Sequence, residues 1–151
     1  MPTSTPTPAT YIPASALTVT LATFHGGYVT AMDGDQGWWL GQEPEPGDCA
    51  KFALLPLPDG KVAIRTCYQK YVTAPTMCGT DTDCALKQKA DLGPCGQFTM
   101  YRLQTGEVAF ETCVGRYFTA LDSNREPALQ WVVIARHDVL DRWERFKLRS
   151  Q

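Results

Sequence analysis

Hydrophobic and polar residues alternate with a period of two along several short segments of the chain. In one such segment, VAIRTC, Val62, Ile64 and Thr66 fall on one face, and the residues between them fall on the other. This alternation is typical of β-strands that are buried on one side only. Turn-forming residues, such as those at 58–60 (PDG), separate the segments. For the stretch 134–142 we instead predict a loop with a helical turn.

The alternating segments recur three times in the same order. The segment 19–31, VTLATFHGGYVTA, returns 43 residues further on as VAIRTCYQKYVTA and another 46 residues further on as VAFETCVGRYFTA. A repeat of about 45 residues constrains the architecture before any local assignment is made. Three units of roughly four strands, at about 17–60, 61–106 and 107–151, predict an all-β fold of about twelve strands. The expected architecture is a β-trefoil, in which six strands close a short barrel and three hairpins cap it.

The alternative architecture is a three-bladed propeller-like array, which the usual range of four to eight blades disfavours. A chain of 151 residues with 44% hydrophobic content has room for one domain with a sizeable core. Residues 1–16 are dominated by Pro, Thr, Ser and Ala, so we predict a linker or disordered tail there and the trefoil in 17–151. A Pro/Thr linker before a cysteine-rich β-domain is typical of modules appended to exported proteins.

The charge balance excludes some classes of partner. Fourteen basic residues against sixteen acidic ones give a net charge of −2, which provides no footprint for a nucleic-acid backbone. No apolar run approaches the roughly 18 residues that span a bilayer, and the first residues do not form a signal peptide. We therefore expect no nucleic-acid partner and no membrane insertion. We also expect a monomer without a cofactor. If the natural protein is exported, its signal peptide has already been removed from this sequence.

The six cysteines form pairs that suit the predicted hairpins. We predict the disulfides Cys49–Cys67, Cys95–Cys113 and Cys78–Cys84, one of fifteen possible connectivities. The first two pairs each span 18 residues and centre on the turns between units, at Pro58 and Gln104. Because the last strand of one unit and the first strand of the next form a hairpin, each pair would lie directly opposed. The third pair would close a short loop.

In the third copy of this arrangement the matching positions are Trp143 and Phe24, which become neighbours only when the barrel closes around the chain ends, so an aromatic pair is expected to replace the bridge. Zinc is the alternative use of the cysteines. No two of them stand two to four residues apart, and His25 and His137 lie far from any such pair. We therefore predict no metal site.

The sequence offers little support for an enzyme. A nucleophile needs a neighbouring base, and all six cysteines have a structural explanation. His25 occupies a turn position that the other units fill with unrelated residues, which favours a surface turn role. The pairs Asp33/Asp35 and Asp81/Asp83 could form a glycosidase dyad or part of a calcium loop, but the distal glutamate of a calcium loop is missing. Solvated turn aspartates are the preferred interpretation.

Aromatic residues in the loops are more informative about function. Trp38 and Trp39 follow a Gly/Asp turn in the first unit, and Trp131 occupies a corresponding region of the third. Rigid rings beside Asp, Asn and Gln side chains suit a sugar, whose C–H faces stack while its hydroxyls form hydrogen bonds. The alternative places Trp39 and Trp131 in the core of the capping hairpins. The candidate ligand-binding residues are Trp38, Trp39, Asp33, Asp35, Trp131, Asp122, Asn124 and His25.

The motif HGGYVTA at 25–31, its counterparts QKYVTA and GRYFTA, and the closing WERFKL at 143–148 resemble the units of fascin-like β-trefoils. The resemblance covers about 17–149. It implies one of two functions: actin-filament bundling, as in eukaryotic multi-trefoil proteins, or carbohydrate binding, as in modules attached to bacterial glycoside hydrolases.

The chain departs from the bundling type because it has one trefoil instead of four and an apparent disulfide framework, which does not suit a reducing cytosol. It also lacks the QxW triplets of ricin-type lectins, so their sugar-binding residues cannot be transferred. We therefore expect a secreted, non-catalytic carbohydrate-binding or lectin-like module. The alternative is an actin-filament or other protein-binding domain.

Overall fold

Short β-strands and three-residue 3-10 helices form the regular structure of the protein. The structure, a computed structural model, describes residues 9–11, 13–76, 85–120, 133–137 and 142–151. Its strands are β1 (Ala9–Thr10), β2 (Leu17–Ala22), β3 (Tyr28–Ala31), β4 (Leu40–Glu43), β5 (Phe52–Pro56), β6 (Val62–Arg65), β7 (Tyr71–Thr73), β8 (Lys87–Lys89), β9 (Thr99–Arg102), β10 (Val108–Glu111), β11 (Tyr117–Ala120), β12 (Val133–His137) and β13 (Lys147–Ser150). Among the described residues, no helix is long and apolar enough to cross a lipid bilayer.

Six strands, the first and last of each unit, form a closed barrel in the order β2, β5, β6, β9, β10 and β13. The ring closes where β13 pairs antiparallel with β2, which places Leu148 opposite Leu21. The same pairing recurs in the other two hairpins, where Leu54 lies opposite Ile64 and Met100 lies opposite Phe110. The barrel is therefore built from three equivalent hairpins, each shared between neighbouring units.

Three further hairpins cap the barrel: β3–β4, β7–β8 and β11–β12. The twelve strands of barrel and cap confirm the predicted all-β trefoil. The prediction for 134–142 is wrong in its first half, because β12 at Val133–His137 is a strand paired with β11. The β-branched Val133 and Ile134 favour a strand, and the register shift between Tyr117 and Thr119 accommodates one extra residue in β12.

The turns inside the units repeat the same hydrogen bonds. In the first unit the N–H of Thr23 donates to the carbonyl four residues further on, and equivalent bonds occur at Thr66 and Thr112. The hydroxyl of each threonine also accepts the N–H two residues on. A left-handed residue completes each turn. It is glycine in two units but Gln69, with φ of 62°, in the second.

Large apolar residues from all three units fill the barrel. Phe52, Phe98 and Phe146 occupy equivalent positions, and each is at most 1% exposed. Phe118, from the third capping hairpin, packs between two units, with its ring centroid 4.8 Å from Phe98 and 5.2 Å from Phe110. Burial of such rings from every unit makes the three repeats one cooperative core.

Two predicted disulfides are present. Cys49–Cys67 and Cys95–Cys113 each join Cα atoms 5.1 Å apart, and each spans 18 residues. The predicted pair Cys78–Cys84 lies outside the described residues. Both bridges link the end of one unit to the start of the next, so they fasten two of the three barrel hairpins.

The predicted hairpin register is wrong by one residue at each turn centre. The ladders of the two hairpins centre on Asp59 and Thr105 rather than on Pro58 and Gln104. A 3-10 helix at Asp48–Ala50 ends the extended backbone before β5 begins, so Cys49 is not a ladder residue. The cysteines therefore meet beyond the ends of the ladders instead of directly opposed within them.

Part of the predicted linker contacts the barrel. Ala9 and Thr10 form β1, which pairs antiparallel with β9, and the N–H of Tyr11 donates to the carbonyl of Met100 at 2.6 Å. The Tyr11 side chain packs against the barrel core. Because residues 1–8 and 12 lie outside the described part, the linker as a whole and its boundary at residue 16 stay predictions.

Candidate binding site at Trp38

The loop between β3 and β4 has an unusual backbone conformation. Gly37 has a φ of 88°, and Trp38, a bulky residue, has a φ of 60°. Hydrogen bonds hold the strained residue on both sides: its N–H donates to the Asp33 carbonyl at 3.1 Å, and its carbonyl accepts the N–H of Gln88 at 3.0 Å. A non-glycine residue in this region costs roughly 1–3 kcal/mol and persists only where the surroundings impose it. The fold therefore holds the Trp38 ring in one defined place.

The Trp38 ring lies against the first turn of the second unit. The Nζ of Lys70 is 4.5 Å from its centroid, and the ring of Tyr68 meets it edge-on at 5.4 Å. On the loop side a Cβ at Gly34 would come within 2.9 Å of the ring, so only glycine fits there. We call Gly34, Trp38, Tyr68 and Lys70 the Trp38 cluster. It joins two rigid rings, of which Tyr68 is 36% exposed, to one ammonium group.

Trp39 is bound into the cap rather than into the cluster. It forms a bridge with Lys87, and its carbonyl accepts the N–H of Met32 at 2.9 Å. The buried amide of Gln88 donates to the carbonyls of Met32 at 2.8 Å and Trp39 at 3.4 Å. The Trp38 ring therefore lies against the first turn of the second unit, whereas Trp39 is held within the paired backbone of two hairpins.

The two predicted aspartates of the first unit lie in the same loop. Asp35 is exposed within the 3-10 helix Gly34–Gln36, and Asp33 is half-buried just before it. In the part of the chain that the structure describes, no three His, Cys, Asp or Glu side chains form a group suited to a metal ion. What these carboxylates offer at the edge of the Trp38 cluster is hydrogen-bond acceptors.

His25 lies at the other end of β3, so the structure does not bring it to the Trp38 cluster. Its Nε2 is 3.0 Å from the carbonyl oxygen of Ala120, and its ring meets Trp143 edge-on at 4.9 Å. It lies in the predicted turn and is half-buried. The reason is barrel closure, which brings the third unit against this turn. A pocket of about 200 Å³ beside His25 also involves Gly27.

The aromatic substitution for the third disulfide involves His25 as well as the two predicted residues. Trp143 contacts His25, whose ring meets Phe24 at 5.5 Å. Phe24 is 52% exposed, and the Arg142 guanidinium lies 5.6 Å from its ring. At the third hairpin, contacts among three aromatic rings and a guanidinium group therefore take the place of the disulfide that the other two hairpins have.

The remaining predicted ligand-binding residues, Asp122, Asn124 and Trp131, lie outside the described residues and stay predictions. Sequence reasoning missed Tyr68, Lys70 and Gln88, which contact the tryptophan loop from the second unit. The repeat order could have indicated them. In a trefoil the loop of one capping hairpin lies next to the first turn of the following unit.

A separate polar group lies on the barrel wall. The hydroxyl of Tyr101 donates to the Glu111 carboxylate at 2.6 Å, and the Tyr117 ring is 6.3 Å away. The hydrogen bond to Glu111, together with burial, raises the pKa of Tyr101 to about 12. Burial and the same carboxylate raise the pKa of Tyr117. Both phenols are protonated at neutral pH, so the Tyr101 hydroxyl donates to the Glu111 carboxylate there.

Known structures resemble this architecture. A designed threefold symmetric protein, ThreeFoil, superposes with a TM-score of 0.70 at 15% identity, over 87% of this chain and 96% of the designed one. A mosquitocidal holotoxin gives 0.71 at 9% identity, and the match covers 91% of this chain but only 17% of the toxin chain. The cytolethal distending toxin of Haemophilus ducreyi gives 0.66 at 15% identity, over 87% and 81% of the two chains.

At these identities the likeness shows the fold alone, a β-trefoil of three repeats. No protein-family model matches the chain, and a search of curated proteins finds no match.

Proposed function

We propose that this chain is a non-catalytic carbohydrate-binding module of the fascin-like trefoil type, with the Trp38 cluster as its sugar site. The observation that carries the proposal is the strained Trp38, whose ring is held against Tyr68 and Lys70 in the first turn of the second unit. Strain of this kind concentrates at sites where a side chain must be presented in one orientation.

The chemistry of the cluster suits a sugar. Tyr68 and Trp38 supply rigid apolar surfaces for C–H faces, and the ammonium of Lys70 and the exposed carboxylate of Asp35 supply hydrogen bonds to hydroxyl groups. Lys70 lies over the Trp38 ring, so a sugar that stacks on that face displaces its ammonium toward a hydroxyl or carboxylate of the ligand. This arrangement favours a ligand that pairs a flat face with an acceptor group.

We also propose that the module is exported. The two described disulfides support this, because such bonds form and persist in oxidising compartments. In this proposal the Pro/Thr-rich residues 1–16 connect the module to another part of a larger exported protein.

The test is a glycan and polysaccharide binding screen with the intact chain, followed by calorimetry on any ligand found. Trp38→Ala and Tyr68→Ala should each weaken binding by at least tenfold, or about 1.4 kcal/mol, as expected for aromatic anchors. Val114→Ala is the matched control, since Val114 is an exposed residue at the equivalent turn position of the third unit. It should bind like the unmodified chain.

Two results would overturn the proposal: no binding to any glycan, or full affinity in a Trp38→Ala variant whose circular dichroism and melting curve are unchanged. An actin co-sedimentation arm covers the other function that the fascin-like resemblance implies. If the Trp38→Ala variant sediments with actin filaments as well as the unmodified chain does, that result favours the alternative.

A further inference from the structure

Each unit ends in a barrel strand, β5, β9 or β13, that pairs on one side within a hairpin shared with the next unit. On the other side of each strand the backbone N–H and C=O groups point away from that hairpin, and we call this side an edge of the barrel. Phe52, Phe98 and Phe146 each pair with a valine of their own unit. Residues two positions further along a strand direct their N–H and C=O to the same side. The backbone N–H and C=O groups of Leu54, Met100 and Leu148 therefore point to the same side of their strands as those of the three phenylalanines. These residues occupy equivalent positions in the three units.

The N-terminal part of the chain fills two of these edges. Leu17, at the start of β2, pairs with Leu54. Tyr11 donates its N–H to the carbonyl of Met100, and β1 continues that pairing along β9. At Leu54 the first residue of barrel strand β2 occupies this position, and at Met100 the added strand β1 leads into it.

The third edge, at Leu148, is open among the described residues. Phe146 exchanges hydrogen bonds with Val108 on one side of β13, and Gln151 donates to Thr18 on the other side. Because successive residues of a strand point their backbone groups to opposite sides, the N–H and C=O of Leu148 point to the side of Val108. No described backbone group pairs with them there. An open groove of about 370 Å³ lies there. Its walls are Thr105, Gly106, Glu107, Lys147, Leu148 and Arg149.

The groove combines an apolar floor with a basic rim. The side chain of Leu148 packs against the barrel core, whereas Lys147 and Arg149 are exposed on either side of it. Glu107 is the acidic side chain of the groove, and its carboxylate accepts a hydrogen bond from the Thr105 hydroxyl at 2.9 Å. Two cations against one carboxylate favour an occupant with acidic side chains.

We propose that this groove binds an extended segment of a partner protein by strand addition, antiparallel to β13. The partner segment places an aromatic residue opposite Leu148, as Tyr11 lies opposite Met100, and acidic side chains beside Lys147 and Arg149. Main-chain hydrogen bonds supply affinity in this mode, and the side chains supply selectivity. The proposal does not depend on the carbohydrate site, which lies on the capping side of the molecule.

The test uses the full chain and synthetic peptides with the sequence of residues 7–13 (TPATYIP), which includes the strap Ala9–Tyr11 that pairs with β9. One peptide has that sequence. In a second, TPADYDP, aspartate replaces the residues on either side of the tyrosine, which places the two carboxylates opposite Arg149 and Lys147 in the register of β1 on β9. A matched control carries an N-methyl group on the tyrosine nitrogen, which removes the N–H that would donate to Leu148. Fluorescence anisotropy gives the dissociation constants, and NMR shifts locate the binding.

We expect TPADYDP to bind with shifts confined to residues 105–107 and 146–150, and to protect the amide of Leu148 from hydrogen exchange. N-methylation should weaken binding by about tenfold. The neutral peptide should bind several-fold more weakly than TPADYDP, and Lys147→Glu should remove that difference.

Three results would each overturn the proposal. They are no binding of TPADYDP at millimolar concentration, shifts confined to residues 99–102 through displacement of the chain's own strap, and equal binding of the N-methylated peptide. Equal affinity of the neutral and acidic peptides would refute the acidic class of partner.

Discussion

The two disulfides provide an internally controlled measurement of what the trefoil gains from fastening its hairpins. The perturbation is a pair of double variants, one with Cys49→Ala and Cys67→Ala and the other with Cys95→Ala and Cys113→Ala. Both bridges close loops of 18 residues between equivalent positions of successive units. If the stabilisation arises from restricting the unfolded chain, the two variants must lose nearly the same free energy of unfolding.

The loop length sets the magnitude. Closing a loop of this size lowers the entropy of the unfolded chain enough to stabilise the fold by about 3 kcal/mol at 25 °C. For a protein of this length, such a loss lowers the melting temperature by roughly 6–12 °C. The m-value for urea should also rise, because the unfolded chain becomes more expanded.

Urea denaturation followed by tryptophan fluorescence, together with thermal melting, measures these quantities. Costs that agree within about 1 kcal/mol would support the entropic account. A cost below about 1 kcal/mol in both variants would refute it. So would a large cost in one variant alone, since the two loops have equal length.

Three further predictions concern single side chains. Glu111→Gln should lower the pKa of Tyr101 from about 12 toward its ordinary value of 10.0, visible in an ultraviolet titration. In the unmodified protein the stabilisation from this raised pKa is fully present below pH 10 and is lost as the pH rises toward 12. Gly115→Ala should destabilise by about 1 kcal/mol because φ there is 79°, whereas Gly47→Ala, at an open position with φ of −84°, should not. Phe110→Ala, which empties a fully buried site, should cost about 3–5 kcal/mol in thermal unfolding.

The fold could be predicted from the sequence because its information is repeated three times. Alternation such as that of Val62 and Ile64 recurs at fixed offsets, and the cysteine spacing of 18 recurs with it. The one-residue error in register had a local cause. A 3-10 helix at Asp48–Ala50 carries no periodic signal, so extended backbone was assumed up to Cys49.

The candidate site was only partly predictable. Trp38 stands out in the sequence, but the residues that complete its surroundings, Tyr68 and Lys70, come from a turn about 30 residues further along the chain. Their contact depends on how consecutive units dock, which alternation within a unit does not encode. The strap at Tyr11 escaped for a related reason. Its Pro- and Thr-rich composition predicts a segment that does not become ordered by itself, yet part of it pairs with a strand edge that the barrel provides.

Closure of the barrel by β2 and β13 also governs how this module can be joined to other polypeptides. Val19 and Ser150 are partners in one ladder, and the N–H of Gln151 donates to the Thr18 carbonyl at 2.8 Å. The first and last barrel strands of the trefoil therefore begin and end next to each other. It could be inserted into a surface loop of a host protein without separating the host's two flanking segments, and a short linker across this point would permit circular permutation.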